Sequence, residues 1–150
     1  MTTQAWSIMP RIRELDEFLA RNPSAHATNR DAAGLRESHP EVCFRRLAEG
    51  DVSHSKLEGD GEDERLAILE HHHPGTSDAF RRLESDLIDR FAPHERRFST
   101  DHRDDVVDAM VLALTGLLAD GDYQTLPGNP TVDARGIPRE IVYVEGARPG

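Results

Sequence analysis

Apolar residues return every three or four positions along much of the chain, and that spacing predicts helices. The first covers Ser7 to Ala20, with Ile8, Ile12, Leu15 and Leu19 on one stripe and Pro10 tolerated in its opening turn. Asn22-Pro23-Ser24 ends it. A second helix is expected from Glu41 to Ala48, stopping at Gly50, behind a His39-Pro40 step that holds His39 extended and opens a helix. Beyond a polar loop over 51–61, a short helix runs from Glu62 to Glu70 until His71-His72-His73-Pro74-Gly75 breaks it. Ser77 then caps a helix reaching Phe91, with Phe80, Leu83, Leu87 and Phe91 as its stripe. After a connector, Ser99 or Thr100 caps the longest apolar helix, Asp101 to Ala119, which Gly121 closes. Extended structure is expected over Ala32 to Ser38 and over Glu140 to Val144, with a Pro/Gly-rich loop from Leu126 to Pro138. Two strands separated by three helices do not readily make a self-sufficient sheet, which suggests that part of one is missing.

One segment adds chemistry to this pattern. Asp104-Asp105-Val106-Val107-Asp108 places acids at i, i+1 and i+4 where the longest helix begins. Positions three or four apart share a helix face, so Asp108 sits beside Asp104 or Asp105. Carboxylates that close repel unless a cation or a proton lies between them, which makes Asp104, Asp105 and Asp108 candidate metal ligands. The competing account is favourable negative charge at a helix N-terminus, about 0.3–1 kcal/mol per residue.

Size and composition narrow the class. The 150 residues suit a single domain spanning 1–150 with a modest core. The net charge of −10 argues against loose, charge-driven nucleic-acid binding, which needs cationic patches to displace counterions, but leaves room for a nuclease that docks substrate through metal ions. Lys56 is the only lysine in an arginine-based cationic set. Acidic, lysine-poor surfaces of this kind resemble those of proteins from salt-loving archaea. The single cysteine, Cys43, rules out an internal disulfide and fits a reducing cytoplasm. No signal peptide or membrane-length apolar run is present, so a cytoplasmic location without membrane association is expected.

His71, His72 and His73 do not make a zinc site: consecutive residues at a helix end do not converge on one ion, and no further ligand is spaced to help. A solvated terminus, with histidines near the carbonyl end of the dipole, accounts for them better.

Several segments in order resemble domain of unknown function 429. They are Gln4-Ala5-Trp6-Ser7-Ile8 with Pro10-Arg11-Ile12-Arg13-Glu14-Leu15-Asp16, then Glu37-x-His39-Pro40-Glu41-Val42-Cys43-Phe44-x-x-Leu47 and His54-Ser55-Lys56. Glu64-Arg65-x-x-x-Leu69, Asp104-Asp105-x-x-Asp108-Ala109 and Gly136-x-Pro138-x-Glu140-Ile141 continue the likeness. The family is predicted to consist of RNase H-like nucleases. The resemblance therefore implies an α/β fold of the RNase H-like superfamily, here with an incomplete sheet and mostly helical content. It implies metal-dependent phosphodiester hydrolysis with Mg2+ or Mn2+, Glu37 as the strand glutamate and Asp105 and Asp108 as the helix acids. Asp104 is a neighbour able to substitute or orient.

His39 is a candidate for orienting substrate or a carboxylate, against a turn or capping role. Lys56, matching a family lysine, is a candidate phosphate contact, against a solvated loop residue. Family members usually begin with a glycine-rich strand carrying an aspartate upstream of the part that matches Gln4. The chain thus looks like the C-terminal portion of a family member, with the first strands and their aspartate absent. Hydrolysis of nucleic acid would then be impaired. The alternative is a non-catalytic remnant or interaction subunit that pairs with itself, as a homo-oligomer, or with a chain supplying the missing strands.

The acidic surface carries its own prediction. The melting temperature should rise as KCl is raised from dilute buffer into the molar range, because screening relieves self-repulsion; full stability in dilute buffer would count against salt adaptation.

Overall fold

The computed structural model describes residues 3–22, 25, 34–48, 52, 54, 59–91 and 100–146. Among the described residues, five helices and a two-stranded sheet make a mixed α/β fold: α1 (Thr3–Arg21), α2 (Pro40–Leu47), α3 (Gly59–His72), α4 (Thr76–Phe91), α5 (Thr100–Ala119), β1 (Gln124–Leu126) and β2 (Ile141–Tyr143). Among the described residues no helix is long and apolar enough to cross a membrane.

β2 is the strand about which the extended segments gather. On one side it pairs antiparallel with β1, Thr125 opposite Val142. On the other, Ser38 makes a parallel bridge to Val142. The Val142 N–H donates to the Glu37 carbonyl at 2.8 Å, and the Ser38 hydroxyl donates to the Val142 carbonyl at 2.8 Å. Of the segment expected to be extended over Ala32 to Ser38, the end at Glu37 and Ser38 thus lies beside β2, while residues 32–33 fall outside the described residues. β1 was not expected: three residues, of which only Thr125 is buried, are too few for a period-two pattern to show.

The His39-Pro40 step turns the chain from this sheet into α2. His39 is extended (φ −133°, ψ 120°) and occupies the N-cap without a side-chain cap bond, while Pro40 opens the helix. Cys43, Phe44 and Leu47 then fall on one buried face. Against them pack Leu69 of α3, Phe80 of α4 and Val107, Val111 and Leu114 of α5, with Tyr143 and Val144 closing the core from the sheet. α5 ends as expected, with Asp120 (φ 43°) and Gly121 (φ 89°) reversing the chain.

The joint between α3 and α4 departs from expectation. α3 continues through His71 and His72, and α4 begins at Thr76, so Ser77 lies inside it. The cap comes from Glu70, whose two carboxylate oxygens accept the N–H groups of Gly75 and Ser77, each at 2.8 Å. Those backbone donors hold the Glu70 carboxyl below the usual glutamate range. His72 is not merely solvated: its Nε2 lies 2.8 Å from the Leu47 carbonyl. As the N–H donor in that pair, it ties the end of α3 to the end of α2.

Two predicted stripes are only partly used. In α4, Phe80 is buried whereas Leu83 is exposed. In α1, Ile8, Ile12 and Leu15 are all exposed. That helix also begins earlier than expected, which places Pro10 in its interior instead of its first turn.

Arg36 and Glu140 form a buried ion pair at 2.7 Å, with side chains only 9% and 7% exposed. Arg36 also lies over the Tyr123 ring, 5.4 Å from its centroid. Glu140→Ala would take the carboxylate away from a buried guanidinium, and urea unfolding should show a loss of about 3 kcal/mol. A loss under about 1 kcal/mol would mean that water replaces the carboxylate.

Candidate functional site

The acidic start of α5 meets α3 where α2 also packs. Positions 104, 107, 108 and 111 share one side of α5; Val107 and Val111 are buried, and Asp104 and Asp108 sit at the edge of that apolar strip. Glu62, Arg65, Asp104, Val107 and Asp108 line one small cavity of about 10 Å3, near the lower limit for a single water.

Two arginines supply the positive charge here. Arg65, 4% exposed, falls on the buried stripe of α3 with Gly61 and Leu69. It donates to both oxygens of Glu41 at 2.9 and 3.1 Å, to the Gly61 carbonyl at 3.1 Å and to the His54 carbonyl at 3.4 Å. Its guanidinium lies over Phe44, 5.4 Å from the ring centroid, and its Nε has no hydrogen-bond partner among the described residues. Glu41 is in the first turn of α2, so the pair binds α2 to α3. Arg103 bonds to both oxygens of Glu62 and to Glu84 of α4. The Glu62 hydrogen bonds, reinforced by the charges of Glu62, Glu84 and Asp104, push the Arg103 guanidinium above its ordinary pKa despite partial burial.

The residues singled out from sequence are distributed unevenly. Asp104 and Asp108 share the cavity; Asp105 is exposed and outside its lining. Glu37 is exposed at the end of the segment beside β2, contributing its carbonyl to the sheet, and does not line the cavity. His39 is exposed at the N-cap of α2. Lys56 lies outside the described residues.

An Mg2+ or Mn2+ centre would need several oxygens converging in near-octahedral geometry. The described side chains do not fit that requirement. Glu62 is held by Arg103, Arg65 forms part of the cavity wall, and no group of three or more His, Cys, Asp or Glu among the described residues is placed to hold a metal ion.

The profile of a family described as "Protein of unknown function (DUF429)" matches residues 1–132. The chain belongs to the DUF429 family. No curated protein and no solved structure matches it. The DUF429 match takes in Glu37, Glu41, Arg65 and the α5 acids, and stops before Glu140 and β2.

Arg65 and Arg103 were not read from sequence as parts of this junction. The signal for Arg65 was present: a charged residue four positions from Leu69 on a core stripe needs a buried partner. Arg103 precedes the acids directly, but its partners lie on two other helices and no local spacing announces them.

The unequal burial of the Arg65–Glu41 pair, 5% against 36% side-chain exposure, gives an asymmetric prediction. Glu41→Ala leaves a buried cation uncompensated and should cost about 3 kcal/mol. Arg65→Met leaves a carboxylate that water can reach and should cost about 1 kcal/mol. Chemical denaturation of the two variants compares them directly; equal losses would contradict this account of the junction.

Proposed function

We propose that this chain is an RNase H-like nuclease-type domain in which phosphodiester hydrolysis is impaired. The observation that carries the reading is the convergence of Asp104 and Asp108 with Glu62 and Arg65 on one cavity, where Glu62 is already held by Arg103. Acids at the start of a late helix are what the family resemblance implies for a hydrolytic site. Guanidinium groups neutralise such acids, but they neither bind a water as a Lewis acid nor present an open coordination position. Charge compensation by arginine therefore keeps the junction stable while working against metal-assisted chemistry.

Substrate, on this reading, is a nucleic acid approached at Glu37, His39 and Asp105, the site candidates exposed to solvent. An overall charge of −10 makes that approach unfavourable without a cation to bridge it. A second reading, a non-catalytic subunit that pairs with itself or with another chain, is favoured by the uncovered apolar side of α1.

Labelled single- and double-stranded DNA and RNA, incubated with the purified chain and millimolar Mg2+ or Mn2+, should be cleaved at or near background. Asp108→Asn should not change the result. Robust metal-dependent cleavage abolished by Asp108→Asn would overturn the reading of impairment.

A further inference from the structure

A groove lies between the first half of α4 and the second half of α5, away from the acidic start of α5. Its volume is about 430 Å3, inside the range of roughly 300–1,000 Å3 common for small-molecule sites. Ala79 of α4 and Met110, Ala113, Leu114 and Leu117 of α5 give it an apolar body. Leu114 belongs to the core at 6% exposed, whereas Leu117 is 61% exposed, so the groove is anchored in the core and opens to solvent. The α3–α4 turn, His73 to Thr76, lines the end nearest the start of α4. That turn is already held: Glu70 accepts the N–H groups of Gly75 and Ser77, and the Thr76 hydroxyl donates to the His73 carbonyl at 2.5 Å.

Charge sets this groove apart from the rest of the molecule. The chain carries 28 acidic residues and a net charge of −10, yet no Asp or Glu lines the groove, and its arginine is Arg82. Arg82 is exposed, six residues beyond Thr76 along α4. Asp78 and Asp86 stand one turn to either side of it, but Asp78 bonds Arg81, and among the described residues Arg82 makes no ion pair. An apolar trough with such a guanidinium at its edge suits a molecule with an apolar body and one anionic end. Arginine matches a carboxylate with two parallel N–H bonds. A neutral molecule would leave the guanidinium unused, and a cation would be repelled by it. A protein partner matches less well: stable interfaces engage about 20–30 residues a side, whereas ten line this groove.

We propose that the groove binds a small amphipathic carboxylate of medium chain length, its carboxylate on Arg82 and its apolar body over Ala79, Ala113 and Leu114 toward Leu117. The site is independent of the phosphodiester reading and uses none of its residues. The α5 wall from Met110 to Leu117 is about 10 Å long at 1.5 Å per residue, close to the length of an extended octanoate chain. The groove is open and the ion pair exposed, so the dissociation constant falls in the millimolar to high-micromolar range.

Titration of the isotope-labelled full chain with sodium octanoate, followed through backbone amide chemical shifts, tests this. The shifts should saturate and cluster over residues 73–82 and 110–117. 1-Octanol, with the same body and no charge, should move the same amides but bind about two- to fivefold more weakly. Arg82→Gln should remove that difference by weakening octanoate alone. Ala113→Phe should weaken both ligands by filling the groove from an exposed position, and unchanged shifts in α2 and β2 check that this variant keeps its fold. Shifts that never saturate, or that fall on the exposed apolar side of α1 instead, would overturn the site. Equal affinity for octanoate and octanol, or a preference that survives Arg82→Gln, would overturn the assignment of a carboxylate to Arg82.

Discussion

A guanidinium buried among helices must find negative charge, and much of this structure is arranged around that requirement. Arg65 stands on the core stripe of α3 and reaches Glu41 in the first turn of α2, while its guanidinium lies over the Phe44 ring. Cys43, Phe44 and Leu47 form the buried face of the same short helix. The position of α2 therefore depends on an ionic contact as well as on apolar packing. Arg103 repeats the device one layer away, linking Glu62 of α3, Glu84 of α4 and the start of α5 over the Phe80 ring. In both cases an arginine guanidinium lies over an aromatic ring while its N–H groups bond carboxylates, a combination that lysine does not provide. The near-absence of lysine thus has a structural correlate in the interior as well as a bearing on the surface.

What the sequence made legible was local. The helices follow from apolar spacing, and the turn into α2 follows from His39-Pro40, because each depends on residues close together in the chain. The adjacency of the Glu37–Ser38 segment and β2 was not predicted, although both segments were recognised as extended; their bonds join residues about a hundred positions apart. Ser77 looked like the cap of α4 because a serine commonly is one, whereas the actual acceptor is Glu70, seven residues earlier across a turn. His72 read as solvated because nothing nearby in sequence indicates that the Leu47 carbonyl comes within reach.

The acids of the candidate site divide along the same line. Helical spacing correctly placed Asp104 and Asp108 on a common side. It could not reveal that Arg65 of α3 would line the same cavity, or that Arg103 would reach Glu62 and Glu84 on two other helices. Glu37 was singled out through resemblance, and its described bond is made by its carbonyl, a role that any residue there could fill. Charge patterning along one helix thus identified a carboxylate cluster, while the tertiary structure decided how its charge is balanced.

The Glu70 clamp has a consequence for the order in which the chain acquires its structure. Every bond in it closes a loop of seven residues or fewer. Loop-closure entropy grows with the logarithm of loop length, so this hairpin is inexpensive to form while the rest of the chain is still fluctuating. The bonds of Val142 to Glu37 and Ser38 lie at the other extreme and gain their full value only once the intervening helices are in place. α3 and α4 are therefore suited to act as an early scaffold, and β2 as the late closure that seats the last strand against the segment leading into α2.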